Sequence, residues 1–364
     1  MKLLFLGDFY YDYDYISEDI MVISEYIKEK KYNVILNYEA APGRGGKPIT
    51  KRGPNLRHSD VSIDVLKMLS VKGVCLANNH AMDYGQEALI DGIKILDEAN
   101  ILHVGAGANK KNAIDPMRLV CDGQEILISN FGWDVEETVY ATDDNPGCSP
   151  INHNLVVAHT KQLRRDNPTA IIINVFHWGF EFNTRPMPYD IDFAHKCIDE
   201  GADLIIGHHP HVVQSKETYQ GKEIYYSLGN FYFSSRRDSF TKTFASDAHE
   251  NMCDYGIGVV FDTMQRTSEL IQIEYISQKK QSILSENITC INDITGKNWL
   301  SSDYSEEAKK HSEGINPILG VDEEENRKKL KKLFFRYSVA KKLSFLKQNK
   351  AGAAFYKLLK RISN

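Results

Sequence analysis

The chain contains little cysteine and no cysteine framework. Its 364 residues include six cysteines, scattered singly, and no two of them form a CxxC pair. Closely spaced cysteines mark disulfide scaffolds, so the sequence excludes a fold that depends on such bridges. Cys75 and Cys121 lie in or beside apolar runs, which favours small buried residues over metal ligands.

Long hydrophobic runs are also missing. No stretch approaches the roughly 20 apolar residues of a membrane-spanning helix, and no basic segment with a long apolar run and a cleavage site precedes the first strand. The expected location is therefore cytoplasmic. A hydrophobic content of 42% and a charged content of 26% are typical of a soluble globular protein. The length suits one large α/β domain or two smaller ones.

Acidic residues are absent from residues 326–364, which carry thirteen Lys or Arg. The rest of the chain holds 31 of the 44 basic residues and all 49 acidic ones. Apolar residues at helical spacing predict one or two amphipathic helices in this basic tail. Two interpretations stay open: the tail docks on the acidic remainder, or residues 327–362 bind an anionic membrane or polymer. We expect a domain over residues 1–278, an irregular linker or extension over 279–325, and the tail over 326–364.

Groups with metal-binding chemistry follow short apolar runs. Five runs are β-like, at residues 2–6, 33–36, 74–77, 171–176 and 203–206. Their ends would deliver oxygen and nitrogen ligands to one sheet edge, where open α/β sheets bind ligands. A surface cluster would not repeat this arrangement five times. The side chains concerned are Asp8, Asn37, Glu39, Asn78, Asn79, His80, His177, His208, His209 and His211.

The densest of these groups is Gly207-His208-His209-Pro210-His211. We expect an extended segment in which His209 and His211 point the same way while Pro210 fixes the backbone between them. Two imidazoles aimed at one point can bind a divalent metal. The alternative is a surface histidine cluster at a proline turn, and the repeated strand-end groups favour the metal.

The segment from Asn78 to Asp83 offers two kinds of group. An Asn side chain supplies a neutral oxygen ligand, and the adjacent His80 can act as general acid on a leaving group. Asp83 precedes an amphipathic run and has Gln86 three residues on, which favours a capping box. We therefore interpret Asp83 mainly as a helix-capping residue.

Further polar groups are expected around the site. The glycine-rich loop at residues 42–48 carries Arg44 and Lys47 and can bind phosphate or a polycarboxylate. A plain flexible loop is the alternative. Glu181 is expected to bind the metal or support its ligands, and Arg185 to pair with Glu181 or receive an anionic substrate. Asn230 is expected to hold a ligand or its loop.

Two more segments have weaker signals. The stretch at residues 234–254 is long, polar and free of glycine, and we interpret it as a lid over the site. His195 falls on the predicted exposed side of a helix and is interpreted as a solvated residue.

Six motifs, in this order, resemble the CapA family of capsule-synthesis, or poly-γ-glutamate-synthesis, proteins. The resemblance covers residue 1 to about residue 276, and the basic tail lies outside it. The motifs are Gly7-Asp8, Asn37-x-Glu39, Leu76-Ala-Asn-Asn-His-Ala-Met-Asp-Tyr-Gly85, His177-Trp-Gly-x-Glu181, Gly201-Ala-Asp-Leu-Ile-Ile-Gly-His-His-Pro-His211 and Tyr226-Ser-Leu-Gly-Asn-Phe231.

This family is related to calcineurin-like metallophosphoesterases, which implies a four-layer α/β/β/α sandwich with a site for one or two divalent ions (Mn, Zn, Fe or Mg). The resemblance places the catalytic histidine at His80 and the metal ligands at Asp8, Glu39, Asn79, His177, His209 and His211. The residues expected to support the ligands or bind substrate are Asn37, Asn78, Asp83, Glu181, Arg185, His208, Asn230, Arg44 and Lys47.

Two departures from the metallophosphoesterase pattern affect the metal count. Those enzymes carry a His two residues after the first Asp, where this chain has Tyr10. Their bridging Asp is replaced by the longer Glu39. One metal position is therefore poorer in nitrogen ligands, and a mononuclear centre is an alternative to a binuclear one.

Two functions stay open at this point. The first is a metal-dependent hydrolase or transferase in the synthesis of an anionic surface polymer, with metal-activated water and His80 as general acid. The second is a non-catalytic assembly or polymer-binding component of capsule synthesis or export. The expected partners are an anionic polymer or phosphorylated substrate and the capsule-synthesis machinery, and no nucleic acid is expected.

Overall fold

The computed structural model of the chain describes residues 1–296 except 52, 122, 135–137, 235–253 and 277–280. Most of the predicted lid, the predicted linker beyond residue 296 and the whole basic tail lie outside the described residues, so those expectations stay predictions.

The described part forms six α-helices and sixteen β-strands, and none of these helices is both long and apolar enough to cross a membrane. The helices are α1 (Glu18–Glu29), α2 (Ser62–Met68), α3 (Gly85–Glu98), α4 (Lys110–Ile114), α5 (His153–Asp166) and α6 (Pro188–Asp199). The strands are β1 (Lys2–Tyr10), β2 (Asn33–Tyr38), β3 (Val71–Cys75), β4 (Leu102–Val104), β5 (Ala106–Gly107), β6 (Met117–Cys121), β7 (Gln124–Gly132), β8 (Gly147–Cys148), β9 (Ile171–His177), β10 (Leu204–His208), β11 (Lys216–Tyr219), β12 (Lys222–Tyr225), β13 (Asn230–Phe233), β14 (Tyr255–Asp262), β15 (Thr267–Ile276) and β16 (Gln281–Ser285).

Two large sheets dominate the fold. The first has the order β16-β15-β14-β1-β2-β3-β4, with β13 beside β1, and the second has the order β11-β12-β10-β9-β7-β6. Strands β1 to β4 run parallel in the first sheet, as do β7, β9, β10 and β12 in the second. A small sheet pairs β5 with β8. The carboxyl ends of the parallel strands thus share one edge in each large sheet.

The inner faces of the two large sheets pack on each other. Leu3 and Phe5 of β1 belong to the same buried cluster as Ile173 of β9 and Ile206 of β10. Because side chains alternate along a strand, the intervening Leu4 points to the opposite face, where it joins a different cluster. A continuous apolar strand therefore serves two cores at once.

Helices cover both outer faces. On the first sheet, Ile20 and Ile23 of α1 and Leu89 of α3 pack in the cluster that holds Leu4. On the second sheet, Val156 of α5 and Phe193 of α6 pack in another buried cluster. Four layers result, in the order helix, sheet, sheet, helix. This confirms the predicted α/β/β/α sandwich.

Several strands run further than the sequence predicts. The first was expected to end at residue 6, but β1 continues through Asp8 to Tyr10. The reason is β13, which adds beside β1 as a parallel partner and pairs Asp8 with Asn230. Asn37 likewise lies inside β2. The backbone at Asp8 and Asn37 is therefore held by sheet hydrogen bonds, which fix these positions more firmly than a loop would.

Residues just beyond 278 are not irregular throughout. Strand β16 pairs with β15, and Ile294 is buried in the cluster under the second sheet. The boundary expected at residue 278 thus falls between two paired strands. The division of the whole chain into three parts stays a prediction.

His195 is not the solvated residue that its helix position suggests. Its Nε2 contacts a carboxylate oxygen of Glu217 on β11, and its ring stacks on Tyr219 with ring centroids 3.7 Å apart. Strand β11 was not predicted, and it is this strand that covers the ring. His195 therefore joins α6 to the edge of the second sheet.

Asp203, just before β10, ties together several elements at the end of the second sheet. Its carboxylate accepts hydrogen bonds from Arg164 Nη2 (2.5 Å), Lys222 Nζ (2.7 Å) and the backbone N–H of Ile172 (3.0 Å). Burial would raise the pKa of Asp203, but the hydrogen bonds from Lys222 and Ile172 and the charges of Lys222 and Arg164 hold it below its usual value. The native state therefore stabilises the ionised carboxylate.

Replacing Asp203 by Ala is expected to lower the free energy of unfolding by about 2–3 kcal/mol at pH 7, because Arg164, Lys222 and Arg266 lose a buried partner. Urea titration measures the change. A folded-state pKa below the unfolded value contributes stability above the unfolded pKa, so the difference from wild type should shrink as the pH falls below about 4.

Glu125→Ala is the matched control, since Glu125 forms an exposed ion pair with Arg118 in the same sheet. Its cost should stay within about 0.5 kcal/mol. Equal costs for the two substitutions, or a difference that grows at low pH, would contradict this role for Asp203.

Candidate metal centre

The carboxyl ends of four strands bring the candidate ligands together. In the first sheet Asp8 of β1 pairs with Asn37 of β2, and in the second sheet His177 of β9 pairs with His208 of β10. The two edges meet, because His208 Nδ1 lies 3.2 Å from Asp8 Oδ1. Side chains from both sheets therefore face a single buried space.

Two glycines allow the backbones to approach this closely. A Cβ atom at Gly7 would lie 2.0 Å from the carbonyl oxygen of Gly229, and one at Gly207 would lie 1.9 Å from the carbonyl oxygen of Tyr226. No side chain fits at these distances. The two glycines thus permit the close approach of strands on which Asp8 and His208 depend.

His209 and His211 do not lie on an extended segment, and that expectation is wrong. Their φ angles are 96° and 58°, in the left-handed region that non-glycine residues rarely adopt. Strand β10 ends at His208, and the chain turns sharply through Pro210. The turn, rather than strand alternation, aims both rings at the site. Such backbone strain is typical of functional positions.

The centre of the cluster is a pair of buried carboxylates joined by one amide. Asn37 Nδ2 donates to Asp8 Oδ1 at 2.8 Å and to Glu39 Oε2 at 3.1 Å. Asp8 and Glu39 are fully buried, with 0% exposure. Two adjacent buried anions are costly unless positive charge compensates them. The geometry therefore favours a bound cation.

Two overlapping sets of side chains could hold a metal ion. Glu39, His209 and His211 form one set, and Asp8, Glu39 and His177 form the other. Within each set the ligand atoms lie within 4.8 Å of one another. Glu39 is common to both sets, which is the position of a bridging carboxylate if two ions bind.

Asn79 extends the second set. Its Oδ1 lies 2.8 Å from His177 Nε2, and the same nitrogen lies 3.7 Å from Glu39 Oε1. A neutral amide oxygen is a hard donor that suits a divalent ion. Asn79 is therefore placed to complete a set of oxygen and nitrogen ligands around His177.

The side chains fit a metal ion in a second respect. Both ring nitrogens of His209 are buried and have no hydrogen-bond partner among the described residues. Burial, and then the charge of His211, lowers the pKa of His209 to about 3, and burial with the charge of His209 lowers the pKa of His177. Neutral imidazole is the form that binds metals. A bound ion would give these nitrogens the partner that they lack.

Burial alone would raise the pKa of Asp8, but the hydrogen bond and charge of His208, the charge of His211 and the hydrogen bond from Asn37 hold it below its usual value. Asp8 is therefore ionised at neutral pH. It provides the anionic oxygen that a divalent ion requires.

Asn230 orients His211. Its Oδ1 lies 2.9 Å from His211 Nδ1, while His211 Nε2 lies 3.6 Å from Glu39 Oε1. A hydrogen bond on one ring nitrogen leaves the other for the metal, the usual arrangement around histidine ligands. The His211 side chain retains 11% exposure, whereas the Asp8 and Glu39 side chains retain none. Solvent therefore reaches the cluster from the His211 side.

Tyr10 does not replace the histidine that metallophosphoesterases carry at this position. Its hydroxyl donates to Asp12 Oδ2 at 3.2 Å, and its ring packs on Phe233 with centroids 5.1 Å apart. Burial and the charge of Asp12 raise the pKa of Tyr10, which disfavours a metal-binding phenolate. The metal position served by Asp8 is thus poorer in nitrogen, as the sequence indicates.

His80 lies beside the cluster in a hydrogen-bonded pair with Asp83, 2.7 Å from Nδ1 to Oδ2. The expected capping role of Asp83 is wrong: α3 begins at Gly85 after Tyr84, with no side-chain cap. The carboxylate instead bonds to His80 and to a second loop, whose Leu56 donates its backbone N–H at 2.7 Å.

The other predicted residues lie at different distances from the centre. Asn78 Oδ1 accepts from the backbone N–H of His80, and Asn78 Nδ2 donates to the carbonyl of Tyr38 at 3.0 Å. Arg44 is exposed and pairs with Asp60 at 2.6 Å, and Lys47 is exposed. Glu181 and Arg185 are half-buried in the loop after β9. Roles for these last four residues stay predictions.

Sequence reasoning missed Lys51. Its side chain is fully buried, and its Nζ lies 2.7 Å from Asp83 Oδ1. In the sequence it is only one of several cations in a loop, and its contact spans 32 positions along the chain. Neither periodicity nor spacing signals such a pair.

The sandwich and its buried carboxylate–histidine cluster define an α/β protein with a candidate centre for a divalent metal. Residues 4–235 match the family described as bacterial capsule synthesis protein PGA_cap. The match covers more than half of the chain, and the chain therefore belongs to this family.

Curated relatives carry related names. The chain is 31% identical over 229 residues to the capsule biosynthesis protein CapA of Bacillus anthracis, covering 61% of this chain and 54% of that protein. It is 33% identical over 184 residues to the PGA biosynthesis protein CapA of Bacillus subtilis, covering 49% and 47%. The chain thus spans about half the length of the curated relatives that it matches.

Among solved structures, the NAD nucleotidase of Haemophilus influenzae aligns with 92% of this chain and 68% of that chain, at 11% identity and a TM-score of 0.43.

Metal binding can be measured directly. We expect Mn²⁺ or Zn²⁺ titrated into the metal-free protein to give binding heat by calorimetry, and Glu39→Gln and His209→Ala each to weaken the affinity by more than about 100-fold, since both remove a ligand. His103→Ala is the control, because His103 lies on β4, pairs with Asp97 of α3 at 3.4 Å and is not part of the cluster. An affinity that is the same in all four proteins would rule out this centre.

Proposed function

We propose that the chain is a metal-dependent hydrolase that cleaves a phosphoester during synthesis of a bacterial capsule polymer. The observation that carries the proposal is the buried cluster of Asp8, Glu39, His177, His209 and His211, with the His80–Asp83 pair beside it. Family membership supports the capsule setting, and the site supports the reaction class.

A divalent ion bound among these ligands would supply Lewis-acid chemistry, polarising a phosphoryl oxygen and activating water. The identity and the number of the metal ions are part of this proposal. The nitrogen and oxygen donors suit Mn, Zn or Fe better than Mg. An ester entering from the His211 side would reach His211 first and Glu39 behind it.

The chain's own residues would handle the leaving group. An ionised Asp83 accepts a hydrogen bond, so the proton of the His80 ring lies on Nδ1 and Nε2 is the nitrogen that exchanges a proton with substrate. As the oxygen of water attacks phosphorus, the bond from phosphorus to the leaving oxygen breaks. That oxygen takes a proton from protonated His80, which can be restored from the attacking water.

The capsule-synthesis machinery and an anionic polymer are proposed as partners by family membership. Cytoplasmic location and membrane contact through residues 327–362 stay predictions, since those residues lie outside the described part of the chain.

A second function is favoured by one observation. Tyr10 stands where metallophosphoesterases carry a histidine ligand, and its hydroxyl is bound to Asp12 instead, which weakens one of the two metal positions. A centre with one tightly held ion would suit a component that binds an anionic polymer without cleaving it. Metal binding without turnover would support this alternative.

Turnover tests the proposed reaction. With Mn²⁺ added, we expect wild-type protein to hydrolyse bis-p-nitrophenyl phosphate or p-nitrophenyl phosphate, and a chelator to abolish the rate. With methyl phenyl phosphate, whose leaving group needs a proton, His80→Ala should lower kcat by at least about 100-fold, because it removes the general acid, while the metal content stays unchanged.

His195→Ala is the control for that experiment, since His195 pairs with Glu217 at the outer edge of the second sheet and should leave kcat unaltered. Full turnover of methyl phenyl phosphate by the His80→Ala protein would rule out His80 as the general acid. Turnover that does not depend on added metal would rule out a catalytic role for the metal.

A further inference from the structure

A buried ammonium group lies behind the proposed general acid. Lys51 Nζ lies 2.7 Å from Asp83 Oδ1, 3.1 Å from the carbonyl oxygen of Asn79 and 3.2 Å from His80 Nδ1. The side chains of Lys51 and Asp83 both have 0% exposure. Burying an ammonium group is costly unless it is paired and hydrogen-bonded, so Lys51 depends on these polar contacts for its burial.

The loop that carries Lys51 is fastened to Asp83 at several points. The carbonyl oxygen of Asp83 accepts from the backbone N–H of Ile49 at 2.8 Å and from Asn55 Nδ2 at 2.9 Å. Leu56 donates its backbone N–H to the carboxylate. At Gly46, with φ of 76°, a Cβ would lie 1.9 Å from the carbonyl of Tyr84. The loop therefore packs tightly on the segment that holds His80.

Hydrogen-bond chemistry assigns different roles to the three contacts of Lys51. An ionised carboxylate only accepts, so the ring proton of His80 lies on Nδ1 and points to Asp83 Oδ2. That nitrogen then has no lone pair for Lys51. The ammonium donates instead to Asp83 Oδ1 and to the carbonyl of Asn79, and these two bonds hold both oxygens in place.

We propose that Lys51 is a positioning residue for the site: through Asp83 it fixes the ring of His80, and through the carbonyl of Asn79 it fixes a metal ligand. This inference rests on the proposed function, because it gives His80 the role of general acid. It also explains why Lys51, which is 32 positions from Asp83 in the sequence, is buried next to a candidate metal centre.

A purely structural role is the competing explanation, in which Lys51 only anchors the loop. Arg57 provides a control for that case. Its guanidinium donates to the carbonyls of Arg44 and Gly45 and lies 3.7 Å from the ring centroid of Tyr84. Arg57→Met therefore loosens the same loop without removing a side-chain contact to Asp83 or His80.

The kinetic test compares leaving groups in the full-length, metal-loaded protein. Lys51→Met keeps the length of the side chain and removes its charge. With methyl phenyl phosphate, whose leaving group needs a proton, kcat should fall by about 100-fold. With methyl p-nitrophenyl phosphate, whose leaving group departs unprotonated, it should fall by less than about 10-fold. KM should not change, and the rates are compared at saturating Mn²⁺ because Lys51 also supports the backbone of Asn79.

A double substitution completes the cycle. In a His80→Ala background, Lys51→Met should cause little further loss, because both changes remove the same acid. Arg57→Met should lower the rates for both substrates by the same small factor. Equal losses for the two leaving groups in Lys51→Met, or full additivity with His80→Ala, would overturn the proposal.

A measurement without turnover separates this inference from the proposed function. In protein labelled with ¹⁵N at histidine, the His80 ring signals are identified by their absence in His80→Ala. Lys51→Met should shift or broaden the Nδ1 signal, whereas Arg57→Met should not. A wild-type protein with no turnover would refute the proposed reaction, yet the signal would still decide the positioning role. Unchanged His80 signals in Lys51→Met would overturn it.

Discussion

The burial of Asp8 and Glu39 side by side is the constraint on which the rest of the site depends. Both carboxylates are fully buried, and the amide of Asn37 bridges them. Hydrogen bonds alone do not offset two negative charges in an interior. Burial keeps the imidazoles of His177 and His209 neutral, and the ring nitrogens of His209 have no hydrogen-bond partner among the described residues. The cluster is thus complete only with a cation.

The sandwich serves this constraint. Each large sheet contributes the carboxyl ends of its parallel strands, and glycines at positions 7 and 207 allow the backbones of Gly229 and Tyr226 to approach β1 and β10 closely. Strand β13 extends β1 past the point where its apolar run stops, so Asp8 is held by sheet hydrogen bonds on both sides. The strained turn at His209 and His211 is stabilised by its surroundings. The stability of the rest of the fold therefore offsets the cost of the buried carboxylates and the strained turn.

Much of the layout is visible in the sequence. The apolar run at 171–176 becomes β9, and the helix expected from Asn152 is α5, with Asn152 Oδ1 accepting from the backbone N–H of Leu155. These features depend on local pattern. The turn at His209 and the partners of Asp83 depend on contacts with distant segments. The capping signature at Asp83 is a local pattern, and it fails because Lys51 and Leu56 bind the carboxylate instead.

A divalent ion bound at Glu39 between the two sheets would be visible by anomalous diffraction from crystals soaked in Mn²⁺. We predict a manganese peak enclosed by Glu39, His209 and His211, and, if the centre is binuclear, a second peak beside Asp8 and His177. Both peaks should be absent from crystals of Glu39→Gln. Crystals with no manganese peak at this cluster, or with peaks only at surface carboxylates, would rule out this metal centre.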